Sequence, residues 1–224
     1  MRRTALSLLL LLLGIAAAPA RAGTFDAPPD GTYTYAIEHS EHGKLGTHSL
    51  SIQTDGDDRH VKVERHIKVE RVWITVYSED TQTEEIWSDR DLVRFWRKTV
   101  KSDKTTELTI EAKDGQLVFA DSGKSTGLPV GTFPTNPWNP NIVEQSVLMS
   151  TDDGRAVQVK TRLVGEEQVV VGGVREDAQR YEMTGGEKRT LWYDSLGRMV
   201  RQVIHNDDGS TVTFTLQRLP DAKS

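Results

Sequence analysis

Between Leu191 and Leu216 the chain reads LWYDSLGRMVRQVIHNDDGSTVTFTL, a two-residue hydrophobic period cut twice by turn chemistry. Val212, Phe214 and Leu216 alternate with Thr211, Thr213 and Thr215, which places one set on each face of a pleated strand. Asp194-Ser195-Leu196-Gly197 and Asp207-Asp208-Gly209 supply the turns, because glycine accepts the left-handed backbone that short hairpin loops require. Three antiparallel strands are therefore predicted here. A chain that repeats this pattern along its length can only be all-β.

The pattern does repeat. Tyr33, Tyr35 and Ile37 alternate with Thr32, Thr34 and Glu38, and His42-Gly43-Lys44 turns the chain into Leu45–Thr54. Asp55-Gly56-Asp57 marks the next turn. From Arg59 to Tyr77 the apolar set Val61, Val63, Ile67 and Val69 gives way to Val72, Ile74 and Val76. A one-residue slip exchanges the faces of a strand, so a bulge or bend is predicted near Arg71. Further strands are expected at Glu84–Trp87, Leu92–Lys101, Thr105–Glu111, Gln116–Ala120, Ala156–Val164, Gln168–Val171 and Ala178–Met183, with a turn near Gly165. Composition changes at Asp121: glycines and prolines run to Asn141 around Phe133 and Trp138, reading as a Pro-rich connecting loop. Asn139 is positioned to cap one short helix with Pro140 in its first turn, so loop and helix together occupy residues 121–150. About a dozen strands at this spacing predict a large curved antiparallel sheet, a half-barrel or open barrel, as a single domain over residues 23–224.

The first 22 residues read differently. Arg2 and Arg3 precede an apolar run, Leu6–Ala18, and Ala20-Arg21-Ala22 offers a cleavage site before Gly23. As a helix that run reaches about 20 Å, short of a hydrocarbon core about 30 Å thick. A cleaved signal peptide and a periplasmic, soluble product are expected. Losing Arg2, Arg3 and Arg21 makes the net charge of −5 more negative still. An acidic chain does not suit a nucleic-acid partner, which calls for a basic stripe. With no cysteine there is no disulfide, no thiol nucleophile and no lipid-modified N-terminal Cys, so the product is expected to be held by its core alone and not lipid-anchored.

Pro137-Trp138-Asn139-Pro140, Tyr181 ahead of Gly185-Gly186, then Leu191-Trp192-Tyr193-Asp194, Gly197 and Asp208-Gly209-Ser210 form a pattern. It resembles the exported bacterial proteins of the domain of unknown function 6134 family, over Gly127–Leu216 by motif and over the N-terminal meander by architecture. It is more distantly similar to other periplasmic β proteins with a W-x-D-x-x-G hairpin. Some of these look like the half-barrels of envelope lipoprotein carriers, which implies a sheet cupped around a hydrophobic space. The resemblance brings no reaction, so it implies no catalytic residue.

The residues themselves offer little for catalysis. His39, His42 and His48 are the most site-like group, three histidines near one hairpin, against the plainer reading of solvated turn residues. His60 and His66 share a strand face about 20 Å apart, too far for one ion. His205 with Asp207, Asp208, Ser195 and Ser210 lacks a nucleophile elbow. Asp152-Asp153-Gly154 lacks the ligand spacing of a calcium loop, and Glu84-Glu85 face opposite sides of a strand. The expectation is a non-enzymatic protein without cofactor or metal that binds a hydrophobic small molecule, a lipid or an envelope protein. Tyr33, Tyr35, Trp73, Trp96, Phe133 and Trp138 are expected to line its concave side. Two alternatives stand beside it: a histidine-based metal-dependent or hydrolytic enzyme, and a purely structural interaction domain.

Overall fold

The computed structural model describes residues 27–71 and 74–218. The expected signal peptide, residues 1–22, and Trp73 lie outside the described residues. Fourteen strands are present among them: β1 (Gly31–His39), β2 (Gly43–Asp55), β3 (Asp58–Arg71), β4 (Ile74–Ser88), β5 (Asp91–Lys101), β6 (Lys104–Lys113), β7 (Gln116–Phe119) and β8 (Ser125–Pro129). After a 3-10 helix (Pro140–Glu144) come β9 (Val147–Met149), β10 (Ala156–Val171), β11 (Val174–Gly185), β12 (Arg189–Asp194), β13 (Met199–His205) and β14 (Thr211–Arg218). All join one antiparallel sheet in the order β8-β7-β6-β5-β4-β3-β2-β1-β14-β13-β12-β11-β10-β9. Two meanders are thus stitched together where β1 meets β14, with Tyr35 opposite Leu216 and Ile37 opposite Phe214.

The hairpins from Leu191 onward follow their turn residues. Gly197 has φ of 73° and Gly209 of 87°, the left-handed region that an L side chain seldom enters. Asp194 Oδ1 accepts from the backbone N–H groups of Leu196 and Arg198, both at 3.0 Å, so the aspartate builds the turn it opens.

Two local expectations are corrected and one gains an addition. Near Arg71 the register shifts between Val69 and Glu70, in keeping with the bulge or bend expected there, and the chain also reverses: β3 ends at Arg71 and β4 begins at Ile74, with these two residues paired across an antiparallel hairpin. The apolar set changes there because two strands meet, each with its own phase. Gly165, expected in a turn, sits inside the single strand β10, where a register shift between Leu163 and Gly165 absorbs it. Within residues 121–150, Ser125–Pro129 adds an edge strand on β7, a place where proline is tolerated because half the backbone donors face outward. The short helix is a 3-10 turn, with Asn139 Oδ1 accepting from Asn141 N at 3.1 Å and Pro140 in the first turn as its sequence requires.

The sheet curls until its two edges nearly meet, and the chain between β8 and β9 closes the seam. Val130 O accepts from Leu92 N at 2.9 Å on one side; on the other, Met149 N donates to Phe133 O at 2.8 Å and Thr135 N to Met149 O at 2.9 Å. Gly154 lies against the opposite wall, where an added Cβ would sit 2.9 Å from the Phe119 ring and 3.1 Å from Ile110. From Thr132 to Val143 the connecting segment is largely buried, so it runs inside the barrel as a plug and not around it. Side chains from the wall hold it. Arg189 Nη1 donates to Thr135 O at 2.7 Å, and the Tyr193 hydroxyl donates to Pro137 O at 2.8 Å.

Candidate functional site

The plug divides the interior. On one side, inward positions of β2 to β5, β13 and β14 enclose a cavity of about 360 Å³, bounded by plug residues Thr135, Asn136 and Pro137. Its wall is charged and hydroxylated. Arg65 Nη2 meets Glu79 Oε1 at 2.6 Å, and Glu79 Oε2 also accepts from the Tyr77 hydroxyl at 2.6 Å. Burial pushes the Glu79 carboxyl up, but the Tyr77 hydroxyl and the Arg65 guanidinium more than offset it and hold the group below its ordinary value. Arg97 pairs with Asp152 and donates to Thr151 Oγ1 at 3.3 Å. Arg189 Nη2 meets Glu187 Oε2 at 2.6 Å. Thr81, Thr83, Ser150 and Thr151 line the spaces between these pairs.

Three polar atoms of this wall are buried with no hydrogen-bond partner: His48 Nδ1, Arg65 Nε and Gln202 Oε1. His48 is only 9% exposed and Gln202 4%. The His48 ring packs edge-on against Tyr35 and Phe214, with centroids 5.4 and 5.5 Å away. Burial, and then the nearby Arg65 charge, push its pKa down to about 3, so the ring is neutral at physiological pH. A smaller groove of about 250 Å³ shares Glu79, Arg97 and Asp152 with the cavity and continues past Lys101.

On the other side of the plug, further along β4, lies a cavity of about 680 Å³ walled by Trp87, Phe133 and Trp138 and edged with charge by Asp57, Arg59 and Asp89. Glu85 stands in the partition. It is 1% exposed and accepts from Trp138 Nε1 at 2.7 Å, Trp87 Nε1 at 2.9 Å and Asn136 Nδ2 at 2.9 Å. Burial pushes its pKa up, and the three donors only partly oppose that shift.

The expected lining residues are dispersed by this arrangement. Tyr33 and Tyr35 point inward but fill the core, their hydroxyls donating to Pro29 O at 2.6 Å and Met199 O at 2.9 Å. Trp96 is corrected to the outer face. Phe95 and Trp96 alternate, Phe95 takes the interior, and the Trp96 indole donates to Glu107 Oε1 at 2.6 Å among exposed groups. Phe133 and Trp138 line the larger cavity, Trp138 at 2% exposure acting as part of the plug. Trp192 is buried on the outer face, its ring between the Arg180 and Arg201 guanidinium groups at 5.6 and 5.0 Å.

The histidines do not converge either. His39 and His42 stack on each other at 4.6 Å, whereas His48 faces the interior. His66 meets Asp80 at 2.7 Å on the exposed face, and His205 Nε2 lies 2.9 Å from Thr190 Oγ1. Asp208 Oδ1 accepts from Ser210 N and Oγ within its turn. Among the described residues no three His, Cys, Asp or Glu side chains gather as a metal site. Nor is any helix among them long and apolar enough to cross a membrane. The outer face of β3 to β6 carries Lys62 with Glu84 at 3.3 Å and Arg94 with Glu111 at 3.9 Å.

Alternation alone concealed the site, because its key residues are charges at inward positions. Arg65 continues the apolar face of Val61 and Val63, and Glu85 lies between inward Thr83 and Trp87. A charge in phase with a buried stripe was the available signal.

Fold and interior together define a barrel-like all-β protein with a plugged, partitioned lumen. The chain belongs to the family described as Domain of unknown function (DUF6134), whose model matches residues 35–217. Its architecture is similar to the crystal structure of a beta-barrel-like protein of Domain of Unknown Function DUF1849 from Brucella abortus. That likeness has a TM-score of 0.67 at 12% identity, covering 88% of this chain and 99% of that one. No curated protein matches the chain.

Proposed function

We propose that this chain is a non-enzymatic, soluble binding protein of the cell envelope, exported by residues 1–22, and that the cavity between Arg65 and Gln202 holds a small polar ligand. One observation carries the reading: His48 Nδ1, Arg65 Nε and Gln202 Oε1 are buried around one cavity without partners. An unsatisfied buried polar group costs about 1–3 kcal/mol, so a ligand that meets all three recovers a free energy the empty wall forgoes. The wall chemistry moves the expected ligand from apolar to polar. A lipid-like ligand is the second reading, favoured only by the aromatic wall of Trp87, Phe133 and Trp138 in the larger cavity.

Native mass spectrometry of protein purified from the envelope fraction separates the two. The proposal expects a water-soluble adduct that is lost from a Thr83→Phe variant, whose added ring fills the smaller cavity. A lipid adduct that survives Thr83→Phe, or no adduct at all, contradicts it.

A further inference from the structure

We infer that the ligand is a neutral, polyhydroxylated molecule, a short saccharide chain; this rests on the proposed reading of the smaller cavity as the binding site. Charge balance is the first argument. Arg65, Arg97 and Arg189 each meet a carboxylate of this chain, Glu79, Asp152 and Glu187, so the wall offers no free cation to an anion and no free carboxylate to a cation. A charged ligand would have to break one of these pairs.

The unpartnered atoms give the second argument. Arg65 Nε–H can only donate and Gln202 Oε1 can only accept, whereas His48 is neutral and offers one role at Nδ1. A ligand satisfying both must accept from Arg65 on β3 and donate to Gln202 on β13, strands that lie four apart in the sheet order. A hydroxyl does both, and adjacent hydroxyls on a sugar ring do so repeatedly. Thr83 and Asn136 extend the same neutral chemistry, while Phe214 supplies an apolar surface for the C–H face of a ring.

Length is the third argument. The groove past Lys101 is lined by Glu79, Arg97 and Asp152, which also line the cavity, so the two spaces adjoin along these side chains. A chain of at least two rings suits this path better than a single ring.

Calorimetric titration with maltose, lactose and chitobiose, alongside citrate, glutamate and lauric acid, tests the inference. At least one disaccharide is expected to bind, and Gln202→Met, Thr83→Val and Arg65→Lys are each expected to weaken it tenfold or more. Trp96→Phe, on the outer face, is expected to leave it unchanged. Urea midpoints of all variants show whether a loss reflects misfolding; Arg65→Lys keeps the charge but replaces the guanidinium, removing the Nε–H together with the Nη2 bonds to Glu79 and Thr81. If citrate or glutamate binds with the same sensitivity to Gln202→Met and no saccharide does, the saccharide inference falls while the cavity reading stands. If no probe binds, or if binding ignores all three cavity variants, both fall.

Discussion

The Trp138 indole donates to the Glu85 carboxylate at 2.7 Å, with both side chains almost completely buried, and so ties the plug to the barrel wall. Glu85's partners, two indoles and the Asn136 amide, are all neutral donors. One carboxylate thereby touches residues of both cavities: Asn136 lines the smaller, Trp87 and Trp138 the larger.

Removing this acceptor should loosen the plug. Glu85→Leu leaves two indole N–H groups and an amide unpaired and is expected to cost about 3 kcal/mol or more. Trp138→Phe removes one donor and should cost about 1–2 kcal/mol. Urea unfolding at neutral pH measures both, and equal small losses would contradict the central role of Glu85.

The same carboxylate predicts a pH dependence. Burial raises its folded pKa above the ordinary value of 4.5, so the folded state holds the proton more tightly than the unfolded chain. The stability it contributes is fully present below 4.5 and is lost as pH rises through the folded value. Glu85→Gln should flatten that decline in a series of urea midpoints across the acid range. An unchanged slope would show that Glu85 does not titrate in this window.

His48 works in the opposite direction. Its pKa falls from 6.5 to about 3 on folding, so its contribution is present above 6.5 and is lost as pH falls toward 3. Imidazole NMR resonances of His48 should stay fixed from pH 8 to about pH 5. A midpoint near 6.5 would mean that water reaches the ring freely and the cavity wall is not closed there.

Gly154 reports on closure of the barrel. Gly154→Ala would place a methyl 2.9 Å from the Phe119 ring, at a residue whose φ is +72°. Destabilisation of about 1–3 kcal/mol is expected. Phe119→Leu should relieve part of it in a double-mutant cycle, whereas strict additivity would show that the seam is not packed at this point.

Much of this fold was legible because its hairpins carry their own signals. Asp194, Gly197 and Gly209 announce turns that the structure contains, and Asn139-Pro140 announces the 3-10 turn. The full reversal between Arg71 and Ile74 was less legible, because a hairpin and a bulge change the phase alike, and here a register shift between Val69 and Glu70 accompanies the hairpin. The course of the plug was not legible: proline and glycine mark an irregular segment, but only long-range bonds such as Arg189 to Thr135 and Tyr193 to Pro137 bring it inside. The polar cavity was hidden for a related reason. Arg65 and Glu79 are tolerated inside because each neutralises the other, and that pairing joins strands β3 and β4 across 14 residues of sequence.

The most direct measurement is an NMR map of the protein titrated with the water-soluble fraction of an envelope extract. The Gln202 side-chain amide and the His48 ring report on the smaller cavity, the Trp87 and Trp138 indole N–H groups on the larger. Shifts at Gln202 and His48 with the two indoles nearly still are predicted. Shifts confined to the indoles, or none at any of the four, would contradict the assignment of the smaller cavity as the binding site.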